Sequence, residues 1–272
     1  MRPLVKALRA TEPRPQSGQW ALFLRNHDEL DLGRLTVSQR NRVFAAFGPE
    51  KSMQLYDRGI RRRLAPMLGG DRRRLELAYS LLLSLPGTPV IRYGDEIAMG
   101  DDLSLPERNC ARTPMQWSTE PNGGFSEAKK LVRPTIAEGP WSFEHVNVAQ
   151  QRRDPNSLLN WTERMIRMRK EIPEIGFGNF TILPIEPNSV LAIRYDWRNN
   201  SVVMMHNFSD RPLEVRFKVG LDPRLCHQLV NVLSDDHSEA DQRAFHTVLL
   251  EPYGYRWFRV GGLDYLMRRA EE

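Results

Sequence analysis

The 272 residues carry a formal net charge of +5, with 40% hydrophobic and 27% charged side chains. Those are the proportions of an ordinary globular chain, long enough for one large domain or two modest ones with a real core. No run is long and apolar enough to span a bilayer, and the N-terminal M-R-P-L-V-K-A-L-R-A lacks the apolar stretch and cleavage site of a signal peptide, so membrane insertion is excluded and a cytoplasmic location is expected.

Leu4 to Leu8 reads as a short helical piece, and T-E-P-R-P-Q-S-G after it as a loop. Trp20 to Leu24 is continuously apolar and ends abruptly in R-N-H-D-E at 25–29. A run apolar on both pleat faces predicts a strand over 20–25, buried in a parallel sheet covered by helices. Its polar end is where parallel α/β folds put their chemistry. The plainer reading of that end is a turn capped by Asp28 or Asn26. From Leu35 to Leu68 the pattern is mostly helical in two pieces, with Thr36 or Ser38 capping the first and Gly48-Pro49 separating them.

Asp71 opens a better helix, with Leu75, Ala78, Leu82 and Leu85 on one apolar stripe. The triplets Arg61-Arg62-Arg63 and Arg72-Arg73-Arg74 raise nucleic-acid binding. Neither interleaved aromatics nor a nucleic-acid motif accompanies them, so they read as a solvated helix face with some acidic contacts, and no nucleic-acid partner is expected. Thr88 to Tyr93 predicts a second buried strand, again with carboxylates, Asp95 and Glu96, at its end. Strand, helices, strand is a βαβ arrangement and implies a parallel sheet.

Met99 to Asn156 is long and irregular, the mark of a functional or poorly ordered loop. It contains Cys110, which with the distant Cys226 fits no metal-ligand spacing, and both read as free thiols. A helix over 157–172 follows, with Leu158, Trp161, Met165, Met168 and Ile172 inward and Pro173 as its stop. After Gly176, β-like runs at 180–185, 190–196, 202–208, 213–219, 227–233, 245–251 and 255–260 alternate with turns. They predict an antiparallel sandwich of roughly 80 residues. The expected domains are 1–175, 176–260 and a charged tail at 261–272.

Four segments in this order resemble the α-amylase superfamily: F-L-R-N-H-D-E at 23–29, L-P-G-T-P-V-I-R-Y-G-D-E-I at 85–97, R-T-P-M-Q-W at 112–117, and the passage from helix to β-domain after 157. G-I-R-R-R-L-A-P at 59–66 and Y-G-Y-R-W-F at 253–258 make the trehalose synthase and α-glucosidase-like branch the nearest pattern. The resemblance implies an α/β plus all-β fold. The strands at 20–25 and 88–93 would be the seventh and eighth of a (β/α)8 TIM barrel, followed by a small C-terminal antiparallel β-sandwich.

It also implies the chemistry. Members cleave or rearrange α-glucosidic bonds with retention, which needs a nucleophilic carboxylate and an acid/base carboxyl roughly 5 to 5.5 Å apart. In the family these come from the fourth and fifth strands, which would precede position 1, so the chain alone is expected to be inactive. A whole barrel takes roughly 250 residues. Asp28 matches the family aspartate that grips hydroxyls of the glucosyl unit, stabilising the transition state. His27 matches a neighbouring sugar donor, Arg112 an arginine that closes the pocket, and Asn26 and Glu29 flank them as substrate-binding candidates. Trp117 and Phe125 either stack on sugar or pack the long loop. No cofactor is expected in this chain, although calcium would belong to the full-length parent.

One position departs from the branch: where trehalose synthases carry a glutamate shortly after the motif aspartate, this chain has Gly33. Hydrolysis and transglucosylation therefore stay open beside isomerisation of maltose or short α-glucans. Two other readings remain. The chain could be a subunit completed by a separate N-terminal barrel polypeptide, or a stand-alone carbohydrate- or partner-binding β-module without catalysis.

Overall fold

The computed structural model describes residues 2–11 and 18–261. Most of the loop expected after the first helix, and the charged tail beyond 261, lie outside the described residues. In chain order, helix α1 (Arg2–Ala10) precedes strand β1 (Ala21–Leu22). Then come β2 (Leu30–Asp31), α2 (Val37–Phe47), β3 (Gln54–Leu55), β4 (Gly59–Ile60), α3 (Leu64–Met67), α4 (Arg72–Ser84) and β5 (Thr88–Pro89). The long segment carries α5 (Val148–Arg153), followed by α6 (Leu158–Lys170) and α7 (Pro173–Phe177). The β-rich part runs β6 (Asn179–Ile182), β7 (Val190–Trp197), β8 (Asn200–Asn207), β9 (Leu213–Phe217), β10 (Gln228–Asn231), β11 (His237–Glu239), β12 (His246–Leu250) and β13 (Tyr255–Val260).

Two compact units share these elements. One comprises Met1–Leu22, Leu77–Pro89 and Met165–Glu272; the other comprises Phe23–Glu76 and Val90–Arg164.

In the first unit β1 and β5 pair in parallel, Ala21 with Thr88 and Leu22 with Pro89. The parallel pairing agrees with the expected βαβ unit, but each strand is only two residues long. Trp20, Phe23, Val90 and Tyr93, read as buried, are each close to half exposed. A strand buried on both sides needs a neighbour at each edge and a cover on each face, and two rungs on one edge supply neither.

The β-rich part of the same unit forms a six-stranded sheet in the order β11-β10-β13-β8-β7-β6, antiparallel at every pairing, facing a two-stranded antiparallel sheet of β9 and β12. Ala192, Val203, Met205 and Phe258 from the large sheet meet Val215, Phe217, Val248 and Leu250 from the small sheet in one core. This is the expected sandwich, with β11 as an additional strand. Its central strands are also buried on their other face. There Tyr195 Oη donates to the Ser84 carbonyl (2.5 Å), Trp257 Nε1 donates to Ser80 Oγ (3.0 Å), and His206 Nε2 sits 3.1 Å from Ser80 Oγ. Leu77 and Tyr79 through Ser84 are consequently buried on nearly all sides rather than along one stripe.

In the second unit α2 begins as expected. Thr36 Oγ1 accepts from Gln39 N, and the Gln39 side chain accepts from Thr36 N, a capping box. The second expected helical piece is instead a 3-10 turn, the β3–β4 hairpin and the one-turn α3. Tyr56 and Asp57 both take positive φ, 55° and 52°, which a right-handed helix cannot contain. The triplet at 61–63 is therefore no solvated helix face. Arg63 is wholly buried, Arg62 and Arg63 pair with Asp101 and Asp95, and Arg61 donates to the carbonyls of Leu103, Leu105 and Glu107. Met99, Met115 and Val148 of the long segment make a small core with Ile97. Helix α6 stops at Lys170, and Pro173 opens α7 at its first turn.

Candidate active site

Asp28 stands on a turn built by arginines. After β1 the chain reaches Arg25, whose buried guanidinium donates to the carbonyls of Arg62 (2.9 Å), Ile60 (3.3 Å) and Asp28 (2.7 Å). The last bond curls residues 25–28 back on themselves. Asn26 Oδ1 accepts from Asp28 N at 2.9 Å, closing an Asx turn. Arg92 Nη1 donates to the Asn26 carbonyl (3.1 Å), and Arg112 Nε donates to the His27 carbonyl (2.9 Å). Three successive carbonyls, of Asn26, His27 and Asp28, each accept from a different arginine. The polar turn is thereby held on charge-assisted bonds.

The carboxylates above this turn are also gripped. Arg112 Nη2 donates to Asp28 Oδ1 at 2.8 Å, with Arg108 Nε 3.4 Å from the same oxygen and His27 Nε2 3.4 Å from Oδ2. Arg108 takes both oxygens of Glu29, at 2.6 and 3.3 Å. The Glu29 side chain is 7% exposed, whereas that of Asp28 is 40% exposed, so only Asp28 offers its carboxylate to a ligand. His27 projects beside it, exposed. The bond from Arg108 holds the Glu29 carboxyl below the ordinary range. Burial, then the charge of Arg92, lowers Arg25 to about 10, which leaves it cationic at neutral pH.

Local sequence explains how these groups meet. A 3-10 turn at Glu107–Ala111 brings Arg108 and Arg112 to the same place. Cys110 anchors that turn: its buried thiol donates to the Arg61 carbonyl at 2.8 Å, and burial pushes its pKa up to about 11, so it stays a donor. Glycine is required at 59, because a Cβ there would lie 2.6 Å from Glu29 Cγ. Beneath the turn Arg63 donates to Asp95 (3.2 Å) and to the Tyr93 carbonyl, and the Arg63 and Arg92 guanidinium groups lie 5.3 and 5.0 Å from the Tyr93 ring centroid.

The structure thus gathers Asn26, His27, Asp28, Glu29 and Arg112, while Trp117 and Phe125 stay half exposed instead of packing the loop. Sequence reasoning missed Arg25, Arg92 and Arg108. Their signal was visible as arginines inside or beside the motifs, but single arginines read as surface charge until their partners are known. Among the described residues no group of three or more His, Cys, Asp or Glu side chains could hold a metal ion.

Residues 52–178 match the alpha amylase catalytic domain and residues 200–259 the sucrose hydrolase-like C-terminal domain. The chain belongs to the α-amylase superfamily and carries the C-terminal part of its barrel domain with the following β-sandwich. Trehalose synthases are among its similar relatives within that superfamily. It is 45% identical over 221 residues to that of Thermus thermophilus, covering 78% of this chain and 23% of the relative. It is 37% identical over 272 residues to that of Pimelobacter sp. (strain R48), covering 96% and 46%. To the trehalose synthase/amylase TreS of Mycobacterium tuberculosis (strain H37Rv) it is 43% identical over 265 residues, covering 95% and 43%. The chain therefore spans less than half the length of these relatives. Among solved structures, the trehalulose synthase MutB from Pseudomonas mesoacidophila MX-45 superposes with a TM-score of 0.64 at 17% identity, over 95% of this chain and 46% of that one. The likeness to MutB concerns the fold alone.

Proposed function

We propose that these residues supply the sugar-gripping part of an active site that rearranges or cleaves α-glucosidic bonds of maltose or short α-glucans with retention, as in trehalose synthases. The observation that carries this is Asp28: a carboxylate presented to solvent on a turn held by Arg25, Arg92 and Arg112. Positive charge develops on the glucosyl ring in an oxocarbenium-like transition state, and hydrogen bonds to its hydroxyls strengthen there. A carboxylate fixed beforehand makes those bonds without reorganising. His27 donates to the same sugar, and Arg112 orients Asp28 and limits water entry. Asn26 and Glu29 act through the turn, the first by its Asx bond and the second by fixing Arg108.

The nucleophile and the general acid are assigned to polypeptide outside residues 1–272, so this chain by itself turns over no maltose. No helix among the described residues is long and apolar enough to cross a membrane. Both cysteines are free and buried, which supports a reducing, cytoplasmic setting.

Reconstitution tests the reading. The chain is fused to, or co-expressed with, the complementary N-terminal segment of a trehalose synthase relative, and maltose turnover is measured. Asp28→Asn keeps the shape and removes the charge. It should lower kcat on the order of a hundredfold to a thousandfold with a smaller effect on KM, since a bond made mainly in the transition state acts on kcat. Near-normal kcat in that variant, or turnover by the 272-residue chain without a partner, would sink the proposal.

A further inference from the structure

Asp101 falls between the segments at 85–97 and 112–117, and its side chain is buried. Its shortest bond is not to a side chain. Oδ2 accepts from Arg63 N at 2.9 Å, ahead of Arg62 Nε at 3.2 Å, and Oδ1 accepts from Arg62 Nη2 at 3.4 Å. An ion pair alone would need only the guanidinium of Arg62. The Arg63 N–H and the Arg62 carbonyl belong to one peptide group, which is trans, so the two point in opposite directions. That carbonyl accepts from Arg25 Nε at 2.9 Å, and Arg25 Nη2 donates to the Asp28 carbonyl at 2.7 Å. An anion at the N–H end and a cation at the C=O end polarise the same peptide, and each bond strengthens the other.

The carboxylate that starts this chain of bonds is itself fixed. Gly100 precedes it and packs under Trp141, whose side chain would collide with a Cβ at that position. Asp102 N donates to the Cys110 carbonyl at 2.9 Å, which ties the same stretch to the turn that carries Arg108 and Arg112. Arg25, further along, is buried and donates to carbonyls, so a countercharge acts on it through peptide groups. A buried guanidinium is costly without such a charge. Burial and then Arg92 lower the Arg25 pKa, and the charges of Asp95 and Asp101 oppose them. Asp95 faces Arg63, whereas Asp101 is joined to Arg25 through one peptide.

We propose that Asp101 is a positioning residue: its carboxylate, acting through the Arg62–Arg63 peptide on Arg25, holds the turn in the geometry that presents Asp28. Its effect on turnover rests on the function proposed above for Asp28; its hold on Arg25 does not.

Two measurements keep these apart. In the full 272-residue chain the Arg25 Nε–H signal is followed by NMR. Buried and bonded, it should exchange slowly with solvent in the native chain. Asp101→Asn keeps the shape and removes the charge. It should shift that signal and speed its exchange on the order of tenfold, and Asp101→Glu, with the charge on a longer stem, should recover part of the loss. Unmoved indole signals of the buried Trp161 and Trp257 certify that each variant is folded. Fast exchange in the native chain, a result that needs no variant, or an Arg25 signal indifferent to Asp101→Asn, would overturn the proposal. Maltose turnover is then measured after reconstitution with the complementary N-terminal segment. Asp101→Asn should lower kcat on the order of tenfold with little change in KM. In the Asp28→Asn background it should have almost no further effect, because it acts through Asp28. Unchanged kcat, or an equal loss in both backgrounds, would overturn the positioning role. If Asp28→Asn keeps full turnover while the Arg25 signal still responds to Asp101→Asn, the hold of Asp101 on the turn is upheld and the role of Asp28 is what fails.

Discussion

Arg63 is the residue on which the lower layer of the site turns. Its guanidinium is buried against Asp95, and burial raises the Asp95 carboxyl above its ordinary range despite the opposing charges of Arg63 and Arg92. Arg63→Met, of similar length and no charge, would take the facing guanidinium away from Asp95 while the carboxylate stays buried at pH 7. Breaking a buried pair in this way costs about 3–5 kcal/mol. A carboxyl whose folded pKa is raised becomes less costly as pH falls and it protonates, so the penalty should shrink toward pH 4. Urea denaturation of both proteins at pH 7 and pH 4 measures it. An equal loss at the two pH values would show that packing, not charge, accounts for the residue. The same geometry explains why G-I-R-R-R-L-A-P was legible as a motif and opaque as a structure. Ile60 is fully buried and Gly59 makes room for Glu29, but an arginine triplet looks the same on a solvated helix as in an interior.

At the scale of elements, the buried half of α4 and the central strands of the β-rich sheet are joined by polar groups. His206 Nε2 lies between Ser80 Oγ (3.1 Å) and Ser84 Oγ (3.3 Å). Burial lowers its pKa from 6.5 to about 3, so it is neutral in the fold throughout the ordinary range. The unfolded chain takes up a proton below about pH 6.5 that the folded chain refuses. His206 therefore supports the fold fully above that pH, and its support is lost as pH falls from 6.5 toward 3. The loss approaches about 1.4 kcal/mol per pH unit. Unfolding free energy measured by urea at several pH values from 7 to 4 should decline more steeply in the native chain than in His206→Gln. Parallel curves would show that His206 is not the titrating group. Sequence periodicity placed α4 and β8 correctly. It could not show that they bury each other, because Ser80, Ser84 and His206 read as polar positions.

For the whole molecule the contrast is between ladders of different length. Strands β7 and β8 pair along eight registered positions and are largely buried, whereas β1 and β5 pair along two. Local opening costs least where few bonds and little apolar burial must be given up. Amides of Val202–Met205 and Trp257–Arg259 should exchange with deuterium far more slowly than those of Ala21, Leu22 and Thr88, as read by exchange mass spectrometry. The buried stretch Leu81–Ser84 of α4 should follow the slow group. Comparable exchange in both sets would contradict the short-ladder account.

The sequence by itself determined the kinds of elements and their order. Period-two runs marked seven of the strands after Gly176, Thr36 or Ser38 marked the start of α2, and the segments at 23–29, 59–66, 85–97 and 112–117 carried the family. Each of these is a local pattern, written in neighbouring residues and read without knowing what lies across from them. Tertiary structure alone decided which charges are structural and which are presented. Arg25, Arg92 and Arg108 became part of the site only when the carbonyls of Asn26 and Asp28 and the carboxylate of Glu29 were brought to them. The extent of β1 and β5 was likewise decided by neighbours, since a strand lasts only as far as its partners and its cover. Composition cannot report either fact, because hydrogen bonding and burial are properties of residues distant in the chain and adjacent in space.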